Sequence, residues 1–472
     1  MATNAVKFEP SANPAEVEEA LAAVPLRVTD PERIPSRRYY DQQFFDLEKE
    51  KLWFRTWQMA ARLEEIPNVG DYMEYRILDK SVIIVNTKNG VKAFHNACRH
   101  RGVQLVPDGE SGNCKTRGFI CPFHGWRWNN EGENTFVFGK QIFSEEALDK
   151  AELNLVPCRL ETAVGCAFIN FDDDALGLRE TMGTVLDRGE ERGMDKLKMR
   201  WWYGTVLPTN WKLAMEAFME GYHVMRTHPQ LMVMATLDGR FGQDMGVKRP
   251  SPPSVKEFVD MFILGLERLS AGMGGQVSQR ELDVLYDIRD MELPETIEQA
   301  AGVLTQRFFE EVTKRGRADG LPVPDLNEMF KNTHYNVEFF FPHFFTVPSF
   351  SAMSSYRIRP LTAETCFFEI WNLDFLKEGE VETPKAPTIL PYDSKEFPEI
   401  PQQDYSNLPR QQLGLHAKGF DYMRLSHEYE GMISNYQRLI DGYLAGLDPQ
   451  LLAAGNRAVN QGYDSPIVDI GF

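Results

Sequence analysis

Six cysteines in 472 residues, at 98, 114, 121, 158, 166 and 366, are too few for a disulfide framework in so long a chain. Thiols in this number fit a reducing cytoplasm, where they stay free to hold metal. Positive charge is also scarce: 51 Lys and Arg stand against 69 Asp and Glu, a formal net charge of −18. That balance argues against a nucleic-acid partner, which needs a basic face, and against an anionic membrane surface. No apolar run approaches the roughly 20 residues of a membrane-spanning helix. The amino terminus, MATNAVKFEPSANPAEVEEALAAVPL, has no basic start followed by an apolar stretch, so it does not read as a secretory signal. A flavin or nicotinamide fingerprint is missing too, as is any internal repeat. What is present is 43% hydrophobic residues, enough for a sizeable core and for two domains.

Residues 1–36 are rich in Ala, Pro and Glu and read as loosely ordered, or as an arm onto a neighbour. Aromatic residues then climb in YYDQQFFDLEKEKLWFRTW, a packed-helix pattern, and 1–49 is taken as an N-terminal arm and helix. The period changes over 50–172, which reads as a small antiparallel β domain. Its clearest element is a hairpin, strands 81–87 and 91–95, turning at Asn89-Gly90, a pair suited to a type I′ turn. Residues 173–472 form the second domain. There PTNWKLAMEAFMEGYHVMRTHPQ, 208–230, carries a helix that must end by Pro229. KRPSPPS at 248–254 is a linker-like break, 255–335 alternates amphipathic helices with Gly and Pro, and 336–376 reads as strands of an antiparallel sheet. Ile433, Tyr436, Ile440, Tyr443 and Leu447 mark one face of a late helix.

Two short stretches carry chemistry. The first pairs CRHRG at 98–102 with CPFHGW at 121–126, giving Cys98-x-His100, twenty residues, then Cys121-x-x-His124. A zinc finger also uses two Cys and two His, but usually presents like ligands together. Here the types alternate, which suits a [2Fe–2S] cluster with both thiolates on one iron and both imidazoles on the other, the Rieske pattern. Gly102 and Gly125 let the loops bend around such a cluster. Cys114, inside the same span, reads as a spare thiol.

The second stretch, MEGYHVMRTHP, holds Glu220, His223 and His228. Glu220 and His223 are three apart and share a helix face. His223 and His228 are five apart, about 140° from a common face of an ideal helix. They converge only if the helix is bulged or unwound, which Gly221 and Pro229 favour. Two histidines plus a carboxylate form the facial triad of non-haem Fe(II) oxygenases, with positions left open. Alone, histidines in an aromatic helix are more often packing residues; beside the first motif that ordering reverses.

With both motifs in this order, residues from about 38 to 447 resemble the catalytic α subunits of Rieske non-haem iron ring-hydroxylating oxygenases. The resemblance implies an α+β chain: a small antiparallel β Rieske domain plus a helix-grip (START-like) catalytic domain with an antiparallel sheet and flanking helices. It further implies a head-to-tail homotrimer, with or without a small β subunit, in which one subunit's cluster feeds its neighbour's iron. Glu220 matches the bridging carboxylate, bonded to His223 and to a cluster histidine, His100 or His124, of the adjacent subunit. Ring dioxygenases usually carry Asp at that bridge; Glu resembles the subset that oxidises alkylammonium compounds. The third iron ligand is expected at Asp404 in QQDYSN, 402–407, with Asp393 and Glu399 as lesser candidates. Asn210, Trp211 and Lys212 match a family NWK segment read as structural support.

The implied activity is that of a terminal oxygenase component. It would use O2 and electrons from NAD(P)H, delivered by a ferredoxin or reductase, to mono- or dihydroxylate an apolar aromatic or alicyclic compound. Competing readings are oxidative N- or O-demethylation or hydroxylation of an alkylammonium-type substrate, an iron–sulfur electron-transfer protein with a vestigial second site, and a zinc-stabilised interaction module. Arg99, Arg101, Lys115, Arg117 and Arg127 outnumber Asp108 and Glu110 around the first motif. This basic rim suits an acidic electron donor, or salt bridges within the molecule or trimer. Phe218, Met219, Leu231, Met232, Met234 and Phe350 are candidate apolar lining of a pocket for a medium to large substrate.

Overall fold

In the computed structural model, residues 13–233, 252, 254–332, 337–460 and 466–472 are described. The first half is built on a seven-stranded antiparallel sheet, ordered Gln58–Arg62, Cys166–Asn170, Pro157–Ala163, Gly90–His95, Lys80–Thr87, Asp71–Ile77 and Ser111–Asn113. A three-stranded sheet, Phe119–Ile120, Arg127–Trp128 and Asn134–Phe136, stands beside it. The hairpin expected around Asn89-Gly90 forms, but Gly90 already pairs with Thr87, so Lys88 and Asn89 are the loop. The Thr87 hydroxyl accepts from Asn89 N and donates to Gly90 O, and Gly90 takes φ +103°, open only to glycine at low cost.

The second half holds a six-stranded sheet ordered Glu338–Phe340, Phe344–Pro348, Met353–Thr362, Thr365–Asp374, Lys198–Leu207 and Thr388–Ile389. It is antiparallel except at one edge, where Thr388–Ile389 runs parallel to Lys198–Leu207. Side chains alternate along Thr365–Asp374 as a strand requires. Phe368 and Ile370 join a core with Tyr405 and Leu408 of the helix Glu399–Gly414 and with Tyr436 and Ile440 of the helix Gly431–Ala445. Trp371 and Leu373 face the other way, onto Met59 and Phe168 of the first half. Arg357 ties the two halves together: it donates to Ala60 O at 2.5 Å and forks onto Glu369 at 2.8 Å, all three groups buried. Helices Val255–Gly272, Gln279–Ile288, Ile297–Ala318 and Leu326–Asn332 pack as a separate cluster around Phe308 and Phe309.

The N-terminal segment departs from expectation. From residue 13 onward it is neither loose nor an arm reaching outward. Helix Pro14–Ala22 is capped by Asn13, and Leu21, Val24, Val28 and Ile34 lie in the main core. Val28 N donates to Asp441, and buried Arg38 bonds Asp441 and Gln437 of the helix Gly431–Ala445. Strand Arg33–Pro35 pairs with Tyr422–Arg424. Few apolar residues suffice here because the late helix supplies the matching groove and the countercharge. Residues 1–12 lie outside the described residues, as do Met234 and most of KRPSPPS.

Candidate metal centres

The two Cys–His loops fold by one rule. Cys98 N donates to Val103 O and Cys98 O accepts from Gly102 N; Cys121 N donates to Trp126 O and Cys121 O accepts from Gly125 N. Each turn closes on a glycine with positive φ, +78° at Gly102 and +69° at Gly125, and neither glycine has a neighbour within 4 Å of where a Cβ would stand. Backbone conformation, not crowding, therefore calls for glycine. The loops bring His100 Nδ1 to 3.2 Å from His124 Nδ1. Trp126 stacks on His100 at 4.9 Å, locking one loop's imidazole against the other loop. The sulfurs of Cys98 and Cys121 are buried and the imidazoles only half so. Burial raises the Cys98 thiol, and the neighbouring Cys121 sulfur adds to it. Burial and then His124 lower His100.

The donor set fits two irons better than one zinc. A tetrahedral zinc would draw four ligand atoms within about 4 Å of one another. Among the described residues only one set of three potential ligands converges within 4.8 Å, and it is not this one. Imidazole sits beside imidazole and thiol beside thiol, as a diiron cluster with unlike ends requires. Cys114 closes a third turn onto Gly118, but its electrostatic neighbours are Asp71 and Tyr72, and burial pushes its thiol up to about 11. It takes no part in the pair of loops.

The converging set is His223, His228 and Asp404. Asn210 caps the helix Trp211–Glu216 by accepting from Lys212 N, Trp211 is fully buried, and the equally buried Lys212 pairs with Glu48 at 2.7 Å. NWK thus anchors this helix, as its structural reading expects. The helix then ends; 217–223 is irregular, and a single turn, Val224–Thr227, separates the two histidines. The unwinding that the five-residue spacing demanded is present. Glu220 does not share a helix face with His223; it lies in the irregular stretch, where its carboxylate accepts from His223 N at 2.9 Å and meets His223 Nδ1 at 2.7 Å. Asp404 arrives from the helix Glu399–Gly414, with Oδ1 at 3.1 Å from His228 Nε2 and 3.8 Å from His223 Nε2. Asp393 and Glu399 are exposed and stand outside the group.

Both histidines turn Nε2 toward Asp404 and keep Nδ1 occupied, His223 by Glu220 and His228 by Gln403 Oε1 at 2.6 Å. Outer partners of this kind fix the tautomer that leaves the other nitrogen free for metal. Burial alone would lower His223, but the Glu220 carboxylate, helped by Asp404, outweighs it and holds the imidazole above its ordinary value. Gln403 and its partner Gln230 escape sequence reasoning, since glutamines carry no motif. So does half-buried Glu430, whose carboxyl is raised by burial and then by nearby Glu220.

The expected lining residues are only partly brought together. Phe218 meets Phe345 at 4.6 Å and Tyr356 at 4.8 Å on the sheet floor, and Phe368 there meets Tyr405, the residue after Asp404, at 5.1 Å. Met219 is fully buried in the same core, while Leu231 and Met232 are half-buried just past His228. Phe350 lies apart from Phe218, in the helical cluster with Phe308 and Phe309. A surface cleft of about 370 Å³ near Arg55, Trp57 and Tyr443 contains none of the expected residues.

Comparison with known proteins matches both halves. Residues 56–137 fit the Rieske [2Fe-2S] domain, and 186–446 fit the ring hydroxylating alpha subunit (catalytic domain). The 2-aminobenzenesulfonate 2,3-dioxygenase subunit alpha of Alcaligenes sp is 32% identical over 202 residues, 42% of this chain and 50% of that one. The carnitine monooxygenase oxygenase subunit of Escherichia coli (strain K12) is 32% identical over 236 residues, 47% of this chain and 61% of that one. This chain thus matches about half to three fifths of these relatives' length. Among solved structures, naphthalene 1,2-dioxygenase with indole bound shares 18% identity and a TM-score of 0.59, covering 91% of this chain and 94% of that one. A quaternary ammonium Rieske monooxygenase in complex with gamma-butyrobetaine shares 19% and 0.57, covering 88% and 97%. At such identities the likeness is one of fold.

Proposed function

The chain belongs to the ring-hydroxylating α-subunit family with its Rieske [2Fe–2S] domain, and from that premise we propose that it is the terminal oxygenase component of a multicomponent system. It hydroxylates an apolar aromatic or alicyclic compound with O2 and electrons that come from NAD(P)H through a separate ferredoxin or reductase. One observation carries this reading: a thiol–imidazole loop pair and a His–His–Asp cluster, each with its donor atoms aimed inward, stand in one chain. Cys98, Cys121, His100 and His124 would hold the cluster, and His223, His228 and Asp404 would hold ferrous iron. Bound there, the iron would supply O2 activation and the cluster single electrons.

The protein's own part is orientation and insulation. Glu220 and Gln403 keep both Nε2 lone pairs on the metal side. Half-buried Phe218 rests on the buried rings of Phe345, Tyr356 and Phe368, which hold it as the apolar face that an aromatic substrate meets. The half-exposed cluster imidazoles have exposed Phe123 against His124 at 4.1 Å and half-buried Phe143 against His100 at 5.8 Å. Apolar side chains so placed support docking to a second copy in a head-to-tail homotrimer. There Glu220 bridges His223 to His100 or His124 of the adjacent copy. Among the described residues no helix is long and apolar enough to cross a membrane. The six unpaired cysteines fit a reducing compartment, and a cytoplasmic location is proposed on that ground.

The test is a panel of arenes, alicyclic compounds and alkylammonium compounds turned over under 18O2 with a surrogate reductase. Labelled hydroxylated arene or alicyclic product is expected. Alkylammonium oxidation is the second reading, favoured by Glu220 and served by half-buried Phe218 through cation–π contact; label confined to that class would replace the first reading. No labelled product from any class, with both metals loaded, would end the oxygenase reading.

A further inference from the structure

His223 and His228 are held by chemically unlike groups. Behind His223 stands a carboxylate, Glu220, at 2.7 Å. Behind His228 stands an amide, Gln403, with Oε1 at 2.6 Å from Nδ1. Gln403 is itself fixed by Gln230. Gln230 Nε2 donates to Gln403 Oε1 at 2.9 Å, and Gln403 Nε2 donates back to Gln230 Oε1 at 3.2 Å. An amide oxygen only accepts, so the proton of His228 must sit on Nδ1, leaving the Nε2 lone pair facing Asp404. Were Gln403 alone to flip, its NH2 would meet the Gln230 NH2, and His228 would be asked to carry its proton on Nε2 instead. The reciprocal pair therefore opposes the orientation that spoils the ligand.

We propose that Gln403, oriented by Gln230, is the positioning residue for His228, and that it does this without adding charge to the centre. The placement is economical. Gln403 immediately precedes Asp404 on the helix Glu399–Gly414, so one turn of helix delivers one ligand and the group that orients another. The charge count follows. A divalent ion at this centre faces Asp404 directly and Glu220 through His223, with the carboxyl of Glu430 close to Glu220, and the neutral amide adds nothing to that charge. A glutamate at 403 would add one more carboxylate.

This inference rests on the proposed function only for the identity of the metal, so its test uses Co2+ alone and no turnover. Protein carrying its oxidised cluster is stripped of mononuclear metal, then titrated with Co2+ and followed by the high-spin Co(II) magnetic-resonance signal. Gln403→Leu is expected to weaken binding by about 10–100-fold and to alter the Co(II) signal, with cluster absorption unchanged. Gln403→Glu, which keeps the acceptor and adds charge, is expected to bind at least about threefold tighter than wild type. Gln230→Leu, which frees Gln403 to flip, falls between wild type and Gln403→Leu. Binding by Gln403→Leu within twofold of wild type, with the same signal, overturns the positioning role. Equal affinities of wild type and Gln403→Glu overturn the charge argument. If Gln403→Leu loses the cluster absorption and so fails to fold, Gln230→Leu decides, and wild-type affinity there overturns the proposal. Wild type that does not bind Co2+ overturns it outright. Wild type that binds Co2+ yet oxygenates nothing removes the proposed function and leaves this inference standing.

Discussion

The four residues of the first centre lie within 98–124, on two loops with one shared hydrogen-bond scheme, whereas the second centre joins a broken helix at 223–228 to a residue at 404. The loops are nearly self-sufficient: each turn is closed by its own backbone and its own glycine. The His–His–Asp centre has no such local closure. Its histidines are placed by an anchored helix that stops short, and its carboxylate by a helix packed over a distant sheet. A local site tolerates change in the rest of the chain but little within itself. An assembled site spreads its dependence over outer partners such as Gln403.

Removal of a ligand gives the largest effect and separates the two centres. Asp404→Ala should abolish product formation, to background, while the cluster's visible absorption and its reduction by dithionite persist. Cys121→Ser should abolish turnover as fully but erase that absorption. A variant of Asp404 that kept even a tenth of wild-type turnover would remove it from the ligand set.

Next come the glycines of the cluster half. Gly102→Ala and Gly125→Ala meet no neighbour, so each pays only the left-handed backbone strain, about 1–2 kcal/mol. Gly118→Ala adds collision: its Cβ would stand 2.0 Å from Trp128 O, on top of φ +64°. It should lower the unfolding temperature well beyond either of the others and reduce cluster content on purification. Equal melting temperatures for the three variants would show that the Cys114 turn is as free as the ligand turns, against the geometry here.

How much of this could be read beforehand follows the same division. Cys and His at set spacings announce their chemistry, so the two Cys–His loops and the His223–His228 pair could be picked out from the chain, Asp404 followed only from the resemblance, and the distance between His223 and His228 even required the helix to break. The aromatic pattern at 39–57 likewise gave a helix, though it passes into a π-turn at Lys49–Trp53. Gln403 and Gln230 could not be read, because an amide gains its role only from what stands opposite. The N-terminal segment misled for a related reason. Its composition resembles a loose tail, and the Arg38–Asp441 pair that fixes it joins residues no local pattern connects. Phe350 shows the limit of apolar patterning: a phenylalanine near a site in sequence order entered another cluster.

A smaller effect probes the anchor on which the assembled centre depends. Glu216 ends the helix before the irregular stretch and is buried against Tyr39, whose hydroxyl donates to it at 2.9 Å, and Gln437. Burial outweighs these partners and Lys212, pushing its carboxyl up to about 7 from an ordinary 4.5. The folded state thus holds this proton more tightly than the unfolded one. Its stabilising contribution is full below about pH 4.5 and is lost as pH rises through about 7. Glu216→Gln should remove that slope, gaining about 2–3 kcal/mol relative to wild type between pH 5 and pH 8. Calorimetry at the two pH values checks it; parallel shifts in both proteins would mean that Glu216 is ionised throughout.

The smallest effect concerns the surface of the local site, where sequence left steering and salt bridging evenly matched. Arg99 donates to Glu152 O, Arg101 lies over Phe123 and Arg127 over Phe136, while Arg117 is exposed. Among the described residues none of these, nor Lys115, is held in an ion pair, so their charge is not spent inside the chain. A charge of this kind acts on the encounter with a donor and only weakly on stability. Arg117→Glu should therefore leave the melting temperature within about a degree and slow cluster reduction by an acidic donor roughly three- to tenfold at low salt. The difference should vanish near 0.5 M salt, where screening extends only about 4 Å. A slowing that survives high salt would instead mark a direct contact, and no slowing at all would return the rim to a role between copies of the chain.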